Sequence, residues 1–246
     1  MSAVAAGALT RDLPVPDVAL AVGAHPDDVE FGCGGTLAKW AAAGSVVHHL
    51  VCTDGSKGTW DAHADTTSLV ATRRIEQRAA AKALGATGDV VFLNEVDGEL
   101  EATMAVRADV AAWIRRLRPD VVLGHDPWKR YRLHPDHRAA GYLVCDGLVA
   151  ARDPHFFPEQ RLPPHRPSAL LLWEADEPDH AEDITASLDA KLAALLAHAS
   201  QFESTMGAVD DTGLEAFRTR IRARLATNGE RIGVEAAELF AVIRDI

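Results

Sequence analysis

The chain has 246 residues, 48% hydrophobic and 25% charged, ordinary globular proportions that need neither disulfide nor metal merely to fold. Lys and Arg number 25 against 36 Asp and Glu, a net charge of −11 with histidine neutral. That balance excludes an extended phosphate-binding face, so neither nucleic acid nor an anionic membrane is an expected partner. The one basic cluster, Lys129-Arg130-Arg132, is too short to overturn it. Cys33, Cys52 and Cys145 are odd in number and widely spaced, giving neither a disulfide framework nor a cysteine zinc motif. No apolar run approaches 18 residues and the N-terminus lacks a basic region ahead of an apolar core, so a cytoplasmic protein is expected. At roughly 150 residues per domain, the expected organisation is an N-terminal tail over residues 1–17 and a single domain over 18–246.

The pattern then alternates between short apolar runs and helical stretches. Val18 to Gly23 reads as a buried strand, Cys33 to Ala43 as a helix, and Ser45 to Cys52 as a second strand rich in β-branched residues. Thr72 to Leu84 is a predicted helix stopped by Gly85, and Val90 to Leu93 a third strand. A helix over Thr103 to Leu117, a strand over Asp120 to Gly124 and a helix over Pro135 to Val149 follow. The Pro-rich stretch Pro154 to Pro167 is a loop, expected to form a lid or rim. Ala169 to Trp173 is a fifth strand and Ala186 to Ala199 a helix; Leu214 to Leu225 and Val234 to Ile243 read as helical. Near-continuous apolar strands alternating with helices predict an α/β fold, a Rossmann-like, mostly parallel sheet with helices on both faces. In such sheets ligands bind beyond the carboxyl ends of the strands.

The chemistry-bearing residues stand at those ends. After the first strand comes Ala24-His25-Pro26-Asp27-Asp28-Val29-Glu30. An imidazole and adjacent carboxylates are costly to bury unless something positive pairs with them, and a divalent metal supplies that charge. Pro26 sets a turn that can aim His25 and Asp28 at one point. After the fourth strand comes His134-Pro135-Asp136-His137, whose two histidines lie at i,i+3 near one face of a helix entrance. Two imidazoles and a carboxylate make a three-ligand centre with an open position for water, as in hydrolytic zinc enzymes.

These two blocks resemble the PIG-L (LmbE-like) family of zinc-dependent N-acetylglucosamine deacetylases, whose signatures are A-H-P-D-D and H-x-D-H. The resemblance implies His25, Asp28 and His137 as metal ligands, with Zn²⁺ the expected ion and Fe²⁺ the alternative. It implies Asp27 as general base and His134 as the group stabilising the oxyanion, with Asp136 as the charge partner of His134. Arg73, three residues before Glu76, matches a substrate-binding arginine, and Asp97 an acid that binds sugar hydroxyls. His198-x-Ser200-Gln201 resembles a late H-x-S-Q signature. Some members carry a tyrosine two residues before the H-x-D-H block. Arg132 holds that position here with Tyr131 before it, leaving the role to Tyr131, to Arg132 or to neither.

The expected activity is removal of the acetyl group from an N-acetylglucosamine-type conjugate, giving acetate and a free amine. The expected partner is a small-molecule amino sugar, and homo-oligomerisation is left open. Rival readings are an amidase of a larger sugar-thiol conjugate, a non-catalytic metal- and sugar-binding protein, and a nucleotide-binding oxidoreductase. The last is weakened because Gly32-Cys33-Gly34-Gly35 lacks the dinucleotide fingerprint and stands beside acids that repel a pyrophosphate; close backbone packing is the preferred account of these glycines. His125-Asp126 reads equally as a pocket residue or a strand-end turn.

Overall fold

The computed structural model describes residues 9–246. In chain order the strands are Thr10–Arg11 (β1), Val18–Gly23 (β2), Val46–Thr53 (β3), Val90–Glu95 (β4), Val121–His125 (β5), Ala169–Trp173 (β6), His180–Asp183 (β7) and Ala237–Arg244 (β8). The α-helices are Asp28–Ala42 (α1), Thr66–Ala83 (α2), Met104–Leu117 (α3), Pro135–Arg152 (α4), Leu188–Leu196 (α5) and Asp211–Glu230 (α6). They form one eight-stranded sheet in the order β1-β7-β8-β6-β5-β2-β3-β4, parallel except where β8 runs antiparallel between β6 and β7. The mostly parallel α/β architecture is the expected one.

Alternation along β2 shows how the sequence builds two faces. Leu20 and Val22 join Val110, Ile114, Leu143, Val144 and Leu148 under α3 and α4. Ala19 and Ala21 join Val29, Leu37, Trp40, Ala80 and Ala194 under α1, α2 and α5. A third cluster, including Leu192, Phe217, Ile221 and Leu225, ties α6 to α5. Side-chain caps fix helix starts where the sequence has the right residue: Asp65 accepts from the Thr67 amide, Thr103 from Val106 and Asp210 from Gly213.

Several expectations change: α2 begins at Thr66, six residues before the expected Thr72, and β7 lies where no element was expected. Val234 to Ile243 is not helical: the run Leu239–Ile243 lies within β8, where Phe240 and Val242 meet one face and Ala241 the other. A short apolar run covered on both sides has no period that separates strand from helix. Thr10–Arg11, assigned to the tail, adds an edge strand parallel to β7. Helix α1 begins at Asp28, five residues before the expected start, and kinks at Cys33. The 154–167 loop contributes no residue to the main cavity. It is drawn onto the α3–α4 face by the buried Arg115, which donates to the carbonyls of Ala150, Asp153 and Phe156 and to Gln160 Oε1.

The chain leaves β4 at one edge, crosses through α3 and enters β5 on the other side of β2. This strand-order reversal places a crevice beyond the ends of β2 and β5. Among the described residues no helix is long and apolar enough to cross a membrane.

Candidate metal centre and active site

The β2–α1 turn delivers His25, Asp27 and Asp28 to that crevice. Asp27 is the N-cap of α1 at φ 105°, a conformation non-glycine residues rarely adopt. It is pinned from both sides: its amide donates to Gln77 Oε1 at 2.9 Å, and Arg73 donates to Pro26 O at 2.5 Å with Asp27 Oδ2 at 3.5 Å. Strain at a non-glycine residue persists only where the surroundings overdetermine it. Burial lifts the Asp27 carboxyl to about 6, against the pull of the Arg73 charge.

At the entrance of α4, His134 is the N-cap and Pro135 occupies the first turn. The expected i,i+3 relationship is realised as stacked His134 and His137 rings, 4.8 Å apart and 17° from parallel. His25 Nδ1 lies 3.3 Å from Asp28 Oδ2, and His137 Nε2 3.3 Å from Asp28 Oδ1. The two contacts run to different oxygens of Asp28, and one donor atom from each of His25, Asp28 and His137 lies within 4.8 Å of the others, so two imidazoles and a carboxylate are gathered as a donor set of the type that holds a divalent cation.

Among the described residues two other groups of metal-binding type overlap it, His25/Asp97/His134 and His125/His137/Glu174. In each, a side chain outside the group already holds one of the donors. In the first, Asp136 faces His25 Nε2 at 3.1 Å. In the second group Arg132 Nη1 stands 2.7 Å from Glu174, 3.0 Å from His137 Nδ1 and 3.4 Å from His125 Nδ1, a resident cation among those three side chains.

Asp136 reaches His134 through charge alone, drawing its imidazole upward, and makes its hydrogen bonds elsewhere. Its carboxylate accepts from the Gly98 amide at 2.6 Å and the Leu100 amide at 3.3 Å, and pairs with His25 Nε2. The reason is geometric: Asp136 is wholly buried in the first turn of α4, turned toward the β4–α3 loop, whereas His134 is exposed. Burial and the neighbouring His25 and His137 hold the His134 imidazole below its ordinary value. His25 is held well above its own, because Asp136, Asp28 and Asp97 outweigh its burial.

Arg73 and Asp97 both line a cavity of about 480 Å³ with His25, Asp27, Asp28, His134 and His137. Arg73 makes no ion pair with Glu76, which instead accepts from the Ser200 amide and hydroxyl. Its Nη atoms serve Pro26 and Gly55, and only Nε is without a protein partner. Asp97 Oδ2 accepts from the Lys57 amide at 3.0 Å. Beyond them the wall mixes the polar Thr59, Gln201, Ser204 and Thr205 with the aromatic Phe31, Trp173 and the 80% exposed Trp60. His198 does not line the cavity; it is buried against Glu30, 3.2 Å away, in a network that reaches Gln77 behind Asp27. Tyr131 is 87% exposed, and neither it nor the buried Arg132 lines the cavity. The residue that sequence reasoning left undecided is His125, buried at the end of β5 and 3.2 Å from Asp28. The signal available was its place at the carboxyl end of the strand beside β2.

The fold brings a donor set that could hold a divalent ion to the switch point of an α/β sheet. A family model described as PIG-L, GlcNAc-PI de-N-acetylase, matches residues 20–147, and the chain belongs to that family. A diacetylchitobiose deacetylase of Thermococcus kodakarensis is 37% identical over 186 residues, 74% of this chain and 69% of that protein. The solved N,N'-diacetylchitobiose deacetylase from Pyrococcus horikoshii, complexed with its inhibitor MPG, aligns at a TM-score of 0.85 and 33% identity, covering 93% of this chain and 84% of that one. A relative with different chemistry, the 4-oxalmesaconate hydratase of Pseudomonas putida, is 30% identical over 74% of this chain and 73% of its own length.

Proposed function

We propose that this chain is a Zn²⁺-dependent de-N-acetylase that hydrolyses the acetamide of an N-acetylglucosamine-type conjugate to acetate and a free amine. The observation that carries the reading is the placement of the buried Asp27 carboxyl, at about 6, beside the His25/Asp28/His137 donor set in one cavity. The family match and the two deacetylase relatives support it.

His25, Asp28 and His137 would hold the ion, which when bound supplies Lewis acidity and a water ionised near neutral pH. Asp27 removes the proton from the attacking water, its value being well matched to a base working near pH 7. His134, on the open side of the cavity, offers a ring N–H to the carbonyl oxygen as charge develops there. The protonated Asp27 then returns a proton to the leaving amine. Asp97 and Arg73 border the space for sugar hydroxyls, and the face of Trp60 is available to a second ring.

The test is acetate and amine release from a panel of N-acetylglucosamine conjugates by metal-stripped protein, with and without added Zn²⁺. Zinc-dependent release from any member supports the reading. No release from protein that holds one equivalent of zinc would move the assignment to another water-adding reaction on the same centre.

A further inference from the structure

The ring of His125 is 1% exposed, and two donors face its Nδ1: Trp173 Nε1 at 3.0 Å and Arg132 Nη1 at 3.4 Å. Indole and guanidinium nitrogens donate and never accept, so Nδ1 carries a lone pair and the ring hydrogen sits on Nε2. That nitrogen lies 3.2 Å from Asp28 Oδ2. The Ala24 amide points its own N–H at the same nitrogen from 3.4 Å, the long end of hydrogen-bond range; the carboxylate is the acceptor there, so the ring hydrogen is directed at Asp28 and the Ala24 contact gives way to it. Oδ2 receives a second donor, the His25 amide, at 2.7 Å. The other oxygen, Oδ1, is the one facing His137 Nε2.

We propose that Trp173 and His125 form a hydrogen-bond relay that holds Asp28 so that it offers a cation one oxygen only, Oδ1, with His125 acting as a positioning residue and not as a ligand. The proposal rests on reading His25, Asp28 and His137 as the metal ligands. Its functional sense is coordination number: a carboxylate free to turn can bind through both oxygens and fill the position that a catalytic centre keeps open for water. The His125 ring also stacks on His137, 4.4 Å away and 17° from parallel, so one side chain braces two ligands.

The test uses Zn²⁺ affinity by chelator competition and the visible spectrum of the Co²⁺-loaded protein, for wild type, Trp173→Phe, His125→Gln and His125→Leu. His125→Leu is expected to bind Zn²⁺ 10–100-fold more weakly, on the order seen when partners of metal ligands are removed. Its Co²⁺ bands are expected to weaken as the coordination number rises. His125→Gln, whose amide N–H can replace the Nε2 donor, is expected to recover most of both signals. Wild-type affinity and spectrum in His125→Leu, or a glutamine variant no better than the leucine one, would overturn the relay. If the leucine variant does not fold, Trp173→Phe decides, since it keeps the ring and deletes the N–H; unchanged affinity there overturns the proposal. Wild-type protein that takes up no divalent ion overturns the ligand reading itself, and the relay with it.

Discussion

Asp136 and His25, 111 residues apart, meet at 3.1 Å, and the carboxylate that the family resemblance assigns to His134 hydrogen-bonds a different histidine. A metal-ligating imidazole usually donates its second nitrogen to a carboxylate, which fixes its rotation. Nδ1 of His25 faces Asp28, so Nε2 is the nitrogen held by Asp136. Asp136→Asn removes the charge and keeps one acceptor oxygen, enough for the Gly98 amide or the Leu100 amide but not both. It is expected to weaken metal binding about 10–100-fold and to lower the melting temperature modestly through the amide left unpaired. Unchanged affinity in a chelator titration would show that His25 does not depend on Asp136.

Asp27 links catalysis to stability with a definite sign. Its carboxyl titrates at about 6 in the folded chain, against an ordinary 3.8. Between those values the folded state keeps a proton that the unfolded chain has lost, so stability falls as pH rises through the window. At neutral pH the ionised form costs on the order of 3 kcal/mol. Asp27→Asn is therefore expected to be more stable than wild type by roughly 1–3 kcal/mol at pH 7.5, with the gain vanishing near pH 4. Urea melts of the metal-free proteins at both pH values measure this. Turnover should fall by about 10²–10⁴. A bound dication can only pull Asp27 downward, so the acid limb of kcat/KM lies at or below about pH 6; a limb above pH 7 would assign the base to another group.

What the sequence made legible was local. His25-Pro26-Asp27-Asp28 and His134-Pro135-Asp136-His137 each span one turn, so residue type and spacing alone place their side chains together. Strands β2 to β6 were readable because each is a bounded apolar run; β1 and β7 carry no such run and were not. The failures are of two physical kinds. β8 is apolar on both faces and so carries no period, which is why it read as a helix. The partners of Asp136, His125 and Arg73 lie on other elements, at Gly98, Trp173 and Gly55, and no spacing rule reaches them. His125 had no motif of its own; only its position at a strand end beside β2 marked it.

Tyr131 and Arg132 are adjacent in sequence and opposite in environment: the tyrosine ring is 87% exposed and the arginine 9%. Tyr131→Phe is expected to leave kcat within about twofold, as surface changes away from a site do. Arg132 stands behind His137, its Nη1 3.0 Å from Nδ1. When Nε2 gives its lone pair to a cation, Nδ1 carries the ring hydrogen and needs an acceptor, and a guanidinium is none. Glu174, now paired with Arg132 at 2.7 Å, is the nearby carboxylate. Arg132→Ala removes a positive charge and frees Glu174, so metal binding is expected to tighten severalfold. Weaker binding would mean that the guanidinium supports His137 more than its charge opposes the ion. A tenfold loss of kcat in Tyr131→Phe would return the missing-tyrosine role to that residue.

Gly32 supplies a test of the same region from the opposite side of the sheet crevice. A Cβ at this position would lie 2.5 Å from Cδ2 of the Trp173 indole, well inside contact distance. Trp173 is 1% exposed at the end of β6 and cannot move without leaving the core. The glycine is therefore required by packing, the account preferred for this stretch, whereas Gly34 would meet only ordinary contacts. Gly35 repeats the arrangement against Ile184, at 2.6 Å. Both are expected to cost about 1–3 kcal/mol as alanine variants, the usual range for overpacking. They should differ in what else they change. Gly32→Ala displaces the indole that donates to His125 and is expected to lower metal affinity as well as stability. Gly35→Ala, far from the ligands, is expected to lower stability alone. Thermal melts and chelator titrations of the two variants side by side separate these effects; equal loss of metal affinity in both would show that it follows stability and not the placement of Trp173.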